Sequence, residues 1–118
     1  MAPKTHDNPL SSHVLDTSKG CPAEGIKIKL FKQKDHDWKL IGEKITNQDG
    51  RVSGFLGWED FNAGLYKLHF EVSEYFDKTK TEAFFPYVEI VFKIKDPESH
   101  YHVPILLNPY GYTTYRGS

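Results

Sequence analysis

From Pro86 to Lys95 apolar and polar residues alternate with a period of two: Val88, Ile90, Phe92 and Ile94 fall on one side, and Tyr87, Glu89, Val91 and Lys93 on the other. Successive side chains of a strand point to opposite faces, so this spacing predicts a half-buried strand and not an amphipathic helix. The pattern recurs at Ile26 to Gln33, at Trp38 to Ile45 and at Leu65 to Val72, where Tyr66, Leu68, Phe70 and Val72 share the apolar face. Turn-forming clusters separate the runs, among them Lys34-Asp35-His36-Asp37 and Asn47-Gln48-Asp49-Gly50. Helical signal is weak, the best candidate being a short segment from Ser73 to Lys80 with a Ser cap at its start. Short strands at this spacing predict an all-β fold, an antiparallel sandwich.

The 118 residues suffice for one domain with a real core. The expected organisation is a flexible N-terminal tail over residues 1–8 and a single sandwich domain over residues 9–118. A net charge of −1 gives no electrostatic case for nucleic acid or an anionic membrane as partner. Cys21 is the only cysteine, which excludes an intrachain disulfide and a thiolate zinc cluster and fits a reducing compartment. The polar opening MAPKTHDNPLSS lacks the apolar stretch of a secretory signal, and no apolar run reaches membrane-spanning length. The final Arg-Gly-Ser departs from the Ser-Lys-Leu peroxisomal address. A cytoplasmic location is expected, with the peroxisome as the alternative.

Face assignment becomes informative between His100 and Asn108. Tyr101, Val103, Ile105 and Leu107 form one apolar face, which predicts that His100, His102, Pro104, Leu106 and Asn108 point outward. Pro104 has no N–H for a ladder, so the strand should be irregular there or lie near an edge. An outward face of His102, Pro104 and Leu106 is too apolar to be merely solvated and reads as the wall of a cavity or an interface. After the turn at Asn108-Pro109, the alternate residues Gly111, Thr113 and Tyr115 share a face that a hairpin would set beside His102. Tyr115-Arg116-Gly117-Ser118 follows directly on this strand, which suggests that the polar tail belongs to a site. His13 opens the short run His13 to Thr17, and Arg51 follows the Asp49-Gly50 turn at the rim of a sheet.

Taken singly, these residues have plainer readings. Arg51 is by default a solvated charge, Tyr115 a packing aromatic with a wet tip, and His13 a hydrogen-bonded surface residue. His102 stands out because its neighbours on the same face are apolar and would partly desolvate the ring. His6, His36 and His69 read as structural. His100 and His102, two apart on one strand face, could both ligate zinc with His13 as a third ligand, although no carboxylate or thiolate pattern supports it.

The chain resembles the 5-hydroxyisourate hydrolases, the enzymatic branch of the transthyretin superfamily, from Pro9 to Ser118. The resemblance is carried by LSSHVLDTSKGCPA at Leu10 to Ala23, TNQDGR at Thr46 to Arg51, FPYVEIVF at Phe85 to Phe92, and HYHVPILLNPYGYTTYRGS at His100 to Ser118. It implies a transthyretin-like sandwich of two four-stranded antiparallel sheets with one short helix. It further implies a homotetramer, a dimer of dimers around a central channel. The catalytic positions it implies are His13, Arg51 and His102, with Tyr115 and Ser118 helping to bind substrate, and no metal or other cofactor.

The implied reaction opens the cyclic amide of 5-hydroxyisourate, the product of urate oxidation, to 2-oxo-4-hydroxy-4-carboxy-5-ureidoimidazoline on the way to allantoin. Such chemistry needs an activated water, a stabilised oxyanion and a proton for the departing nitrogen. His102 is expected to activate the water, His13 to orient it or supply the proton, and Arg51 to hold the substrate's oxygens, the two imidazoles remaining interchangeable at this level. The main rival is a carrier resembling transthyretin, whose channel holds a small hydrophobic ligand without chemistry. Transthyretins lack the YRGS ending and carry other residue types at the positions of His13, Arg51, His102 and Tyr115.

Overall fold

The structure, a computed structural model, describes residues 7–117. The expected tail at 1–8 and the site residue Ser118 thus lie largely or wholly outside the described residues. Among these residues nine strands and one α-helix, with a short 3-10 helix at Trp58–Asp60 between β5 and β6, follow in chain order: β1 Leu10–Asp16, β2 Cys21–Pro22, β3 Lys27–Lys34, β4 Asp37–Ile45, β5 Arg51–Ser53, β6 Gly64–Glu71, α1 Val72–Lys78, β7 Val88–Ile94, β8 Tyr101–Asn108 and β9 Gly111–Thr114. The strands form two sheets, one in the order β4-β3-β6-β7 and one in the order β2-β1-β8-β9 with β5 also paired to β1.

The expected two-sheet sandwich with one short helix is therefore observed, with two refinements. The β2-β1-β8-β9 sheet has five members, because the residues just beyond the turns, Cys21–Pro22 and Arg51–Ser53, each add a few pairs to β1. Its central pair, β1 with β8, is parallel over the full run from Leu10 opposite Tyr101 to Asp16 opposite Leu107. The other named pairs are antiparallel, as expected of strands joined by short turns. β1 and β8 lie at opposite ends of the chain with no hairpin between them, so their direction was not legible from turn chemistry.

The alternating residues fill the space between the sheets. Leu10, Val14, Ile105 and Leu107 of the β2-β1-β8-β9 sheet face Ile28, Leu30, Tyr66, Leu68, Phe70, Val88 and Ile94 of the β4-β3-β6-β7 sheet, all nearly or fully buried. Each such side chain is worth about 1.5–3 kcal/mol of transfer free energy, which dominates whatever the turns contribute. The β3–β4 hairpin turns on Asp35 and His36, whose φ angles of 52° and 73° give the left-handed pair that suits tight hairpins. His36 is accordingly a turn residue, as expected.

Helix α1 is only seven residues long and is held by burial of Val72, Tyr75 and Phe76 rather than by intrinsic propensity. The expected Ser cap is not formed: Glu71 occupies the cap position without a side-chain bond, and the Ser73 hydroxyl donates to the Pro86 carbonyl instead. The buried Asp16 carboxylate accepts from the Ser18 N–H and hydroxyl, the Lys19 N–H and the Tyr75 hydroxyl, tying the end of β1 to the helix.

Candidate active site

Two backbone arrangements gather the site. The turn before β5 is closed by Asn47, whose carbonyl accepts the Gly50 N–H at 2.8 Å while its side-chain oxygen accepts the N–H groups of Asp49 at 2.9 Å and Arg51 at 3.0 Å. Gly50 takes φ 73°, and a Cβ there would overlap the Val14 carbonyl oxygen, so only glycine lets this turn lie on β1. The Val14 N–H then donates to Gly50 O at 2.8 Å. This seats Arg51 directly opposite His13.

On the other side of β1, parallel pairing sets Ser11 opposite His102 and His13 opposite Pro104. His13 and His102 consequently share the outer face, with ring centroids 6.5 Å apart. Sequence alternation thus predicted the correct face for His102, and three of the proposed residues, His13, Arg51 and His102, come together from three strands. Leu106 lies opposite Thr113 of β9 on the same face. Ladder pairing to β9 stops at the Ile105 and Thr114 pair and returns only as a bridge between His102 and Gly117, so Pro104 stands opposite the interruption. The expected irregularity is real, although β8 is an interior strand.

The electrostatics of the cluster favour neutral imidazoles. Partial burial, followed by repulsion from the Arg51 guanidinium, holds His13 below its usual value of 6.5; the Asp49 carbonyl opposes this shift. His102 is lowered by burial first, then by Arg51 and by His13, against a backbone hydrogen bond with Ser11 that raises it. His13 Nε2 donates to the Asp49 carbonyl at 2.9 Å, so a neutral His13 keeps its lone pair on Nδ1. Two uncharged bases and a neighbouring cation on one face can deprotonate a water and hold a developing oxyanion.

Tyr115, the other predicted site residue among those described, borders a different surface. Tyr115 is 56% exposed and borders a groove with Phe92, Tyr101, Val103 and Arg116, with no hydrogen bond or ring contact to His13, Arg51 or His102. Arg116 fastens the tail: it donates to the His100 carbonyl at 3.3 Å, and its guanidinium carbon lies 4.1 Å from the centre of the Tyr101 ring. Among the described residues no three His, Cys, Asp or Glu side chains gather into a metal-binding group, which leaves the His13, His100, His102 zinc reading without geometric support.

Residue-by-residue reading missed Ser11, Asp49 and Gly117. Ser11 Oγ lies 2.8 Å from His102 Nδ1, and the Gly117 N–H donates to the His102 carbonyl at 2.7 Å. A Cβ on Gly117 would lie 2.7 Å from His102 Cδ2, so the tail closes on the ring where only glycine fits. Ser11 was signalled by its place two residues before His13, on the same strand face. Gly117 could be found only as part of the tail motif.

A model of the HIUase/Transthyretin family matches residues 10–117. The 5-hydroxyisourate hydrolase of Mus musculus is 42% identical over 116 residues, spanning 97% of this chain and 98% of the relative. Among solved structures, Klebsiella pneumoniae 5-hydroxyisourate hydrolase is similar with a TM-score of 0.81 and 37% identity, over 92% of this chain and 98% of the other. Sea bream transthyretin in complex with thyroxine is similar with a TM-score of 0.87 and 30% identity, over 92% and 94% of the two chains. An (S)-allantoin synthase matches with a TM-score of 0.86 and 40% identity over 94% of this chain, which spans only 44% of that longer one.

Proposed function

The chain belongs to the HIUase/Transthyretin family, and from that premise we propose that it is a hydrolase opening the cyclic amide of 5-hydroxyisourate. The fold does not separate hydrolase from carrier, since transthyretin superposes as well as the hydrolase does. The observation that carries the reading is the cluster of two imidazoles held neutral beside the Arg51 guanidinium. A pocket shaped for an apolar ligand has no use for such a group.

In the proposed mechanism His102 takes a proton from water as the water oxygen attacks the ring carbonyl carbon. Charge developing on the carbonyl oxygen is met by Arg51. His13, its Nε2–H anchored on Asp49, orients the water through Nδ1 or passes a proton on. Collapse of the tetrahedral centre breaks the C–N bond, and an imidazolium returns the proton to the departing nitrogen. Tyr115 and Ser118 are proposed to complete substrate binding, and no cofactor enters any step.

A homotetrameric assembly with the two-histidine face lining a channel accompanies this reading. It is supported by the openness of that face in one chain and by exposed apolar residues on the outermost strands: Tyr87 next to β7, Val91 on β7 and Tyr112 on β9. No helix among the described residues is long and apolar enough to cross a membrane, and a cytoplasmic location is proposed.

The test is loss of ultraviolet absorbance from freshly generated 5-hydroxyisourate above its spontaneous decay, paired with a mass measurement of the assembly. Accelerated decay that survives prolonged chelation is expected. Decay unchanged by the protein would refute the hydrolase and favour the carrier.

A further inference from the structure

The two histidines of the cluster are held in different ways, and the difference concerns which nitrogen each can offer. His13 is anchored through Nε2, the outer nitrogen of its ring, on a main-chain carbonyl. His102 is gripped at its base. Of the two atoms that flank Cγ, Nδ1 lies 2.8 Å from Ser11 Oγ, and Cδ2 is the atom that a Cβ on Gly117 would reach at 2.7 Å. Ser11 stands directly opposite His102 in the parallel β1–β8 ladder, and Gly117 opposite it in the bridge to the tail, so both jaws are set by backbone pairing. The ring is left to present Cε1 and Nε2 to the outer face.

We infer that Ser11 is a positioning residue for the reaction: its hydroxyl accepts the His102 Nδ1–H, fixing the tautomer whose lone pair is on Nε2 and aiming that nitrogen at the bound water. This deepens the proposed hydrolase and rests on it for its kinetic consequence. Two observations support the direction of the bond. The main chain of Ser11 also takes part in a hydrogen bond that favours a proton on His102. The Ser11 hydroxyl, having accepted from His102, can turn its own proton toward His100 Nε2, 3.4 Å away. With the opposite tautomer, Nε2 would carry a hydrogen and could not accept one from water.

The assignment also separates the two imidazoles. His13 in its neutral form offers Nδ1, close to its own backbone, whereas His102 offers Nε2, on the ring edge away from Cγ. The base that must reach substrate is therefore His102, and Ser11 is what keeps it in the reactive form.

The tautomer is read without substrate, by long-range proton–nitrogen correlation NMR on the full chain carrying ¹⁵N-histidine at a pH above 6.5. The expected result is a His102 with hydrogen on Nδ1 in the parent protein and a mixture of tautomers in Ser11→Ala. In turnover assays Ser11→Ala should lose about tenfold in kcat with KM changed by less than about twofold, the pattern of a lost transition-state contact. Ser11→Thr, which keeps the hydroxyl, should recover most of that loss. An Nε2–H tautomer in the parent protein, or a Ser11→Ala variant with unchanged kcat, would overturn the inference. Absence of turnover in the parent protein would remove the hydrolase reading instead, while the tautomer would still decide whether Ser11 holds the ring.

Discussion

The outer faces of the two sheets carry similar residue types and handle them in opposite ways. On the β4-β3-β6-β7 sheet, basic side chains are matched to carboxylates: Lys27 with Glu43, Lys29 with Glu71, and both Lys67 and His69 with Glu89, at 2.8 to 3.9 Å. On the β2-β1-β8-β9 sheet, Arg51 stands near two histidines, and no carboxylate of the described residues pairs with it. His69 and His102 are both outward-facing strand histidines, yet one bonds a carboxylate and the other a serine, within reach of the Arg51 charge. A paired lattice is a resting surface, worth little per pair and tolerant of change. The Asp49 carboxylate acts on His13 but does not pair with Arg51, and an unpaired guanidinium beside two imidazoles of lowered proton affinity can stabilise an anionic transition state.

Substitution should separate the two faces most sharply. Arg51→Ala and His102→Ala are expected to lower kcat/KM for 5-hydroxyisourate by about 10²–10⁴-fold with the fold intact, whereas His69→Ala should stay near the parent value. Comparable losses at His69 and His102 in the same assay would erase the distinction. Next in size is Gly117→Ala, whose new methyl would displace the His102 ring. A loss of about 10-fold or more in kcat, with little change in melting temperature, is the expected outcome.

The pH response of the active face has a defined sign. His13 and His102 bind protons less readily in the fold than at their ordinary 6.5. The unfolded chain therefore binds more protons between the lowered values and 6.5, and stability held above pH 6.5 is lost as pH falls through that window. The acid limb of the kcat/KM profile should likewise have its midpoint below 6.5. Arg51→Gln removes one repulsion but not the burial, so the limb should move up toward 6.5 without passing it; a downward shift in the measured profile would contradict the arrangement. The smallest effect belongs to the paired face. Glu89 is held below its usual value, first by the His69 bond, so its contribution is present above pH 4.5 and fades as pH falls. Glu89→Gln should cost less than about 1 kcal/mol in denaturant unfolding, less still at high salt, with turnover unaffected.

How much of this was legible beforehand follows from the reach of each signal. Strand alternation gave β3, β4, β6, β7 and β8 within a few residues, and it assigned His102, Pro104 and Leu106 to one face. The Asn47-Gln48-Asp49-Gly50 turn was visible because Asn and Gly carry their conformational reasons locally. The Ser73 cap failed because the hydroxyl found a carbonyl thirteen residues away, at Pro86, beyond any local pattern. Tyr115 was assigned by extending β9 past Thr114, where the ladder stops.

By itself the sequence determined which side chains must be buried, where the chain must turn, and, through its motifs, the family to which it belongs. Each of these rests on a short-range cause, the two-residue period of a strand or the φ preference of a glycine. Only the tertiary structure decided that β1 runs parallel to β8, that Arg51 lies across from His13, and that Ser11 and Gly117 close on the two edges of His102. Those juxtapositions join residues up to 91 positions apart. They are set by backbone pairing between distant segments, which no local pattern of side chains encodes.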